Sequence, residues 1–180
     1  MKELSLNILD VAENSVKAKA SLTEIRLTED GETLTLVIQD DGCGMTEEVV
    51  RSVTDPFYTT RTTRKVGLGL PLLKLAAEMT GGTMQVVSRA QAEHPADHGT
   101  AVTARFHTAH IDCPPLGDVV ETVLTLIQGH PDTDFLFCHT LGERKVTLDT
   151  RELRQVLEDV PLNSYEVLQW IEAFLREQYQ

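Results

Sequence analysis

The chain has 180 residues, 41% of them hydrophobic and 24% charged, and carries a net charge of −12 at pH 7. That length suits one medium domain, or a domain with a substantial extension, and supplies enough side chains for a real core. The acidity argues against nucleic-acid or anionic-membrane partners, which need a basic face, and no apolar run reaches the length of a membrane span. The N-terminus lacks a signal-peptide pattern. Three widely spaced cysteines, Cys43, Cys113 and Cys138, read as reduced thiols of a cytoplasmic protein and not as a metal site or disulfide framework.

A helical pattern opens the chain over residues 4–19, with Leu4, Ile8, Val11, Ala12 and Val16 spaced to face a core. Asp10 and Asn14 stand one turn apart on the same face, and Lys17 follows within another turn. The plain reading of this stripe is a solvated helix face. Set opposite an acidic turn, it becomes a metal-phosphate edge: an Asn amide oxygen suits magnesium, and a carboxylate can order a water or hydroxyl. Residues 22–27 then read as a strand, 29–32 as a hairpin turn and 33–39 as the return strand, with Leu34, Leu36 and Ile38 alternating.

Asp40-Asp41-Gly42-Cys43-Gly44 leaves that strand. An acidic residue followed by two glycines brings backbone close to a flat ligand, although Asp-Gly also makes ordinary turns. Thr46 with Glu47 and Glu48 reads as a helix start, running to about Val53 before Pro56 stops it. Thr59-Thr60-Arg61-Thr62-Thr63-Arg64-Lys65 is a polar loop with three cations, a local reversal of charge on an acidic chain. Next, Gly67-Leu68-Gly69-Leu70 approaches a helix over 71–79, an arrangement suited to phosphate because free amides and the helix dipole point the same way. No Gly-Lys-Ser/Thr follows, so it is not a Walker loop, and no strand runs directly into the glycines as in a Rossmann fingerprint. Gly81-Gly82 ends the helix, and strands at 83–88 and 100–107 flank a polar loop.

Taken in order, these stretches resemble the nucleotide-binding boxes of the GHKL family of gyrase, heat-shock chaperone, histidine kinase and MutL. Asp10 to Lys17 resembles its N-box and Asp40 to Gly44 its first glycine box. Asp55 to Arg61 is similar to the segment before the lid in many histidine kinases, Gly67 to Leu70 to the second glycine box, and Gly99-Thr100 to the start of the last strand. The resemblance covers residues 1–108 and implies an α/β (α+β) two-layer sandwich, a mixed sheet packed on helices, with ATP bound between helices and lid. It further implies that Asp40 accepts from the adenine amino group while Gly42, Gly44 and Thr100 shape the base pocket. Asn14 would hold Mg²⁺. Lys17 and the lid residues Thr59, Thr60, Arg61, Arg64 and Lys65 would meet the phosphates, with Gly67, Leu68, Gly69 and Leu70 presenting amides. Asp10 would position the attacking group as the catalytic residue.

Three departures stand against the histidine-kinase pattern. The N-box begins within the first few residues, leaving no room in the chain for a phosphoacceptor hairpin; Asp10 stands where many kinases have an amide; and Lys65-Val66 replaces a common Gly-Thr. Residues 109–180 match no recognised family. They read as an appended acidic α/β segment with 13 acidic and 5 basic side chains: a helix over 118–128, strands over 134–139 and 145–148, a helix capped at Asp149, and a last one capped at Ser164. The six histidines show neither metal-ligand spacing nor a helical phosphoacceptor setting and read as structural or surface residues. The expectation is an ATP- and Mg²⁺-dependent kinase of a separate protein in bacterial signalling. The alternative is an ATP-operated switch or slow ATPase acting on a protein partner; the sequence leaves a homodimer open.

Overall fold

The structure is a computed structural model and describes residues 3–55 and 68–180. Helix α1 (Leu4–Lys17) is followed by a hairpin of β1 (Leu22–Asp30) and β2 (Thr33–Asp40), then α2 (Glu47–Thr54) and α3 (Gly69–Met79). A second hairpin, β3 (Thr83–Arg89) and β4 (Gly99–His107), precedes α4 (Val119–Gly129), β5 (Asp134–Leu141), β6 (Arg144–Asp149), α5 (Thr150–Leu157) and α6 (Tyr165–Tyr179). One six-stranded sheet runs in the order β3-β4-β2-β1-β5-β6. All neighbours are antiparallel except β1 and β5, which run parallel.

Most elements lie where the sequence places them, with shifted ends. The N-terminal helix stops at Lys17, not 19, because Lys19 takes a left-handed φ of 59°. The first strand extends to Asp30, so only Gly31 and Glu32 form the hairpin tip. The core stripe of α1 also differs by one residue. Ser15 is buried and Val16 only half-buried, so Ser15 takes its place beside Leu4, Ile8, Val11 and Ala12, with Ser5 and Asn7 buried as well. Ser164 precedes α6 but makes no capping bond, and its buried hydroxyl has no partner.

Residues 109–180 continue the architecture of 1–108. Strand β5 pairs with β1 from Leu22↔Asp134 to Glu29↔Leu141. Before it, the chain is stitched to the start of α1 by Leu4 N–H donating to the Pro115 carbonyl (2.9 Å) and Ser5 N–H to that of Leu116 (2.8 Å). The Thr122 hydroxyl donates to the Ser5 carbonyl at 3.0 Å, docking α4 on α1. A single apolar cluster runs from Ile8, Ile25, Leu36 and Phe106 to Ile127, Phe137, Leu148 and Ile171. Each of those side chains removes apolar surface from water, about 1.5–3 kcal/mol apiece for full burial.

Several polar groups pin the far edge of the sheet. His139, 1% exposed, bridges the Tyr179 hydroxyl at 2.7 Å and the Glu29 carboxylate at 2.9 Å. The Gln178 side-chain amide makes two bonds of 3.0 Å to the backbone of Thr147 on the edge strand β6, standing in for a seventh strand. Burial first, and the nearby Glu29 carboxylate second, push the Tyr179 hydroxyl far above the usual tyrosine range. Among the described residues no helix is long and apolar enough to cross a membrane.

Candidate functional site

The register places a polar row across one end of an otherwise apolar sheet face. Ser88 of β3 stands opposite Thr100 of β4, Thr100 opposite Asp40 of β2, and Asp40 opposite Thr23 of β1. Because directly opposed antiparallel residues point to the same face, all four share the side of Leu34, Leu36, Ile38 and Val102 that packs under the helices. This is the sheet end from which the glycine turn departs.

The Asp40 carboxylate is held from both sides. One oxygen accepts the Gly42 N–H at 2.8 Å, and the other accepts the Ser15 hydroxyl of α1 at 2.7 Å. Cys43 N–H donates to the Ala18 carbonyl at 2.9 Å, which ties the glycine turn to the end of α1 just beyond Lys17. Gly44 sits at φ +67°, and a Cβ there would run into the Arg89 carbonyl, so only glycine fits. Asp41, next in sequence to Asp40, does different work. Burial alone would push its carboxyl up, but bonds from the Leu22 N–H, the Ser21 hydroxyl and the Ser21 N–H outweigh this and hold it below the usual range. It anchors the start of β1.

Thr100 faces Asp40 with its hydroxyl direction settled by a neighbour. The Ser88 hydroxyl oxygen accepts the Met45 N–H at 2.8 Å, lies 3.1 Å from the Gly99 carbonyl and 2.7 Å from the Thr100 hydroxyl. A serine has one proton to give. Both remaining contacts are satisfied only when Ser88 donates to Gly99 and Thr100 donates to Ser88. Thr100 therefore turns lone pairs, not a proton, away from Ser88.

Helix α3 completes the geometry. Gly69 opens it directly against α1: a Cβ placed there would lie 3.4 Å from the Asp10 Cβ. Leu68, the residue before it, offers no side-chain cap, so the amides of Gly69 and Leu70 lack intrahelical partners, and Pro71 has no amide. The Asp10 carboxylate is exposed beside this positive helix end, and among the described residues it makes no hydrogen bond or ion pair. Asn14 is half-buried one turn along and Lys17 exposed in the last turn. The structure thus brings together Asp10, Asn14, Gly69 and Leu70 on one side, and Asp40, Gly42, Gly44 and Thr100 on the other. Thr59, Thr60, Arg61, Arg64, Lys65 and Gly67 lie outside the described residues.

Ser15 and Ser88 escape motif reading: Ser15 lies inside the N-box stretch without being one of its charged or amide positions, and Ser88 belongs to no box. The available signal is positional. Ser15 interrupts the apolar stripe of α1, and Ser88 takes the inward alternation of Met84 and Val86. No group of three or more His, Cys, Asp or Glu suited to a metal occurs among the described residues. The donor set does fit magnesium, which takes one or two hard protein oxygens and completes its shell with water and phosphate.

The chain belongs to the histidine kinase-, DNA gyrase B- and HSP90-like ATPase family, whose model matches residues 2–110. Sensor protein KdpD of Clostridium acetobutylicum is 30% identical over 94 residues, covering 49% of this chain and 10% of that protein. The Aquifex aeolicus MutL ATPase domain complexed with ADP superposes with a TM-score of 0.57 at 14% identity, covering 88% of this chain and 70% of that one. The N-terminal domain of a DNA repair protein gives 0.56 at 17% identity, covering 82% and 52%. The chain therefore spans a tenth of the KdpD sequence and about half of the repair-protein domain. The MutL superposition covers more of the chain than the family-matched residues, so the shared fold includes part of the C-terminal segment.

Proposed function

We propose that the chain binds Mg·ATP between α1 and α3, with the base on the Asp40 row, and uses it to phosphorylate a separate protein. The observation that carries the reading is the approach of Gly69 to Asp10: an exposed carboxylate, unpaired among the described residues, stands on α1 where α3 opens without a side-chain cap. Filled by phosphate oxygens, the amides and helix dipole are matched.

Each residue has a task in its own chemistry. The Asp40 carboxylate accepts an amino hydrogen of adenine, and Thr100 offers lone pairs beside it. Asn14 supplies an amide oxygen to Mg²⁺; when bound, that ion spreads and neutralises phosphate charge. Asp10 orients the attacking hydroxyl and receives its proton. A carboxylate at that point orients a water equally well, which supports the second reading: an ATP-operated switch whose slow hydrolysis resets a contact with a protein partner. A protein in the cytoplasm suits either reading.

Calorimetric titration tests the shared core of both. Asn14→Ala should weaken Mg·ATP binding and leave metal-free nucleotide almost unchanged. Equal weakening with and without Mg²⁺ removes Asn14 from the metal.

A further inference from the structure

Ser15 stands where an apolar residue would serve packing better. It is 2% exposed and occupies the inward stripe of α1 between Ala12 and the helix end. A helical serine ordinarily returns its proton to a carbonyl of the preceding turn. Here the hydroxyl instead reaches across to Asp40 Oδ2 at 2.7 Å, over 25 positions of sequence. The other carboxylate oxygen is fixed by Gly42, whose amide belongs to the same turn. A carboxylate rotates about a broad torsion, so one local bond leaves its second oxygen free to swing. Ser15 removes that freedom, and it does so from α1, the element that also carries Asp10 and Asn14.

We propose that Ser15 is a positioning residue for base selection. Its hydroxyl locks the Asp40 carboxylate so that the remaining lone pairs stand ready for the exocyclic amino group of adenine. The inference rests on the nucleotide reading above and adds to it a link between the base end and the phosphate end of one helix. Thr23, the cross-strand partner of Asp40, does not take this role: its buried hydroxyl makes no hydrogen bond. Among the described residues no other α1 side chain donates to Asp40: Leu4, Ile8, Val11 and Ala12 are apolar, and the buried Asn7 amide makes no hydrogen bond.

The test pairs a protein change with a ligand change. Ser15→Ala and Ser15→Thr are titrated calorimetrically with ATP and with purine riboside triphosphate, which lacks the amino group. Alanine is the best helix former and is smaller than serine, so the first variant folds. The parent should prefer ATP by about tenfold or more, the scale of a charge-assisted hydrogen bond. Ser15→Ala should weaken ATP by about three- to tenfold while changing the desamino analogue less than about twofold. Ser15→Thr, which keeps the hydroxyl, should restore the preference. Equal weakening of both ligands by Ser15→Ala, or no weakening of either, overturns the role of Ser15 and leaves the nucleotide site standing. A parent that binds neither triphosphate overturns the nucleotide reading and this inference with it.

Discussion

The two ends of the sheet treat their polar groups in opposite ways. Toward β6, charges are consumed in pairs: Asp134 with Arg154 at 2.7 Å, Asp149 with Arg151 at 2.9 Å, Asp118 with Arg176 at 3.0 Å, and His139 between Glu29 and Tyr179. The Arg176 guanidinium bonded to Asp118 holds that carboxyl below its usual range, and Arg151 does the same for Asp149. At the α1–α3 end, Asp10 makes no hydrogen bond or ion pair among the described residues, and α3 opens without a side-chain cap. Folding satisfies polar groups wherever the chain can supply a partner. We propose that the complementary groups left open at this end are set aside for the nucleotide. On the reading proposed above, the tail holds the scaffold and the other end meets the nucleotide.

The comparison breaks first if the tail proves dispensable. We propose that residues 109–180 complete the sheet. Ending the chain after Thr108 would remove β5 from β1 and α4 from α1, uncovering Ile8, Ile25 and Leu27, each 1% exposed. The shortened chain should lose cooperative thermal unfolding and bind a hydrophobic dye. A cooperative, ATP-binding 1–108 would make the tail a separate unit.

At the open end, Asp10→Asn sharpens the contrast. It keeps the shape and removes the base, so Mg·ATP should bind as before while phosphate transfer or release falls about 10²–10⁴-fold. Full turnover would move the catalytic role to another residue.

The smallest expected effect separates the two neighbours Asp40 and Asp41. Asp41 is a structural anchor with a depressed folded-state pKa. Its contribution is complete above the ordinary carboxylate range and is lost as pH falls through the folded-state value. Asp41→Asn should therefore cost about 1 kcal/mol at neutral pH, solvent screening included. The difference in Tm from the parent should close in acid. A Tm difference that stays constant with pH would show that its charge contributes nothing.

Legibility followed the range of the interactions. The boxes at Asp10–Lys17, Asp40–Gly44 and Gly67–Leu70 are local patterns of charge, amide and glycine, so order and spacing exposed them, and the hairpins followed from alternation and turn chemistry. The insertion of β5 beside β1 left no such trace. Parallel pairing joins Leu22 to Asp134 through an intervening stretch of the whole fold, and no residue type marks it. The same holds for the contacts behind the site: Ser15–Asp40 and Ser88–Thr100 are set by register and helix docking. Asn7 was missed for the converse reason. Its spacing continues the Asn14 stripe, yet it is fully buried with neither amide atom bonded.

The central claim is that Asp40, within the polar row, reads the base of a bound nucleotide. Calorimetric titration of ATP into the parent and Asp40→Asn tests it most directly, because the amide keeps the shape and replaces a charged acceptor. ATP affinity should fall about tenfold or more, with GTP already poor in the parent. Unchanged ATP affinity in Asp40→Asn would place the base elsewhere and contradict the account.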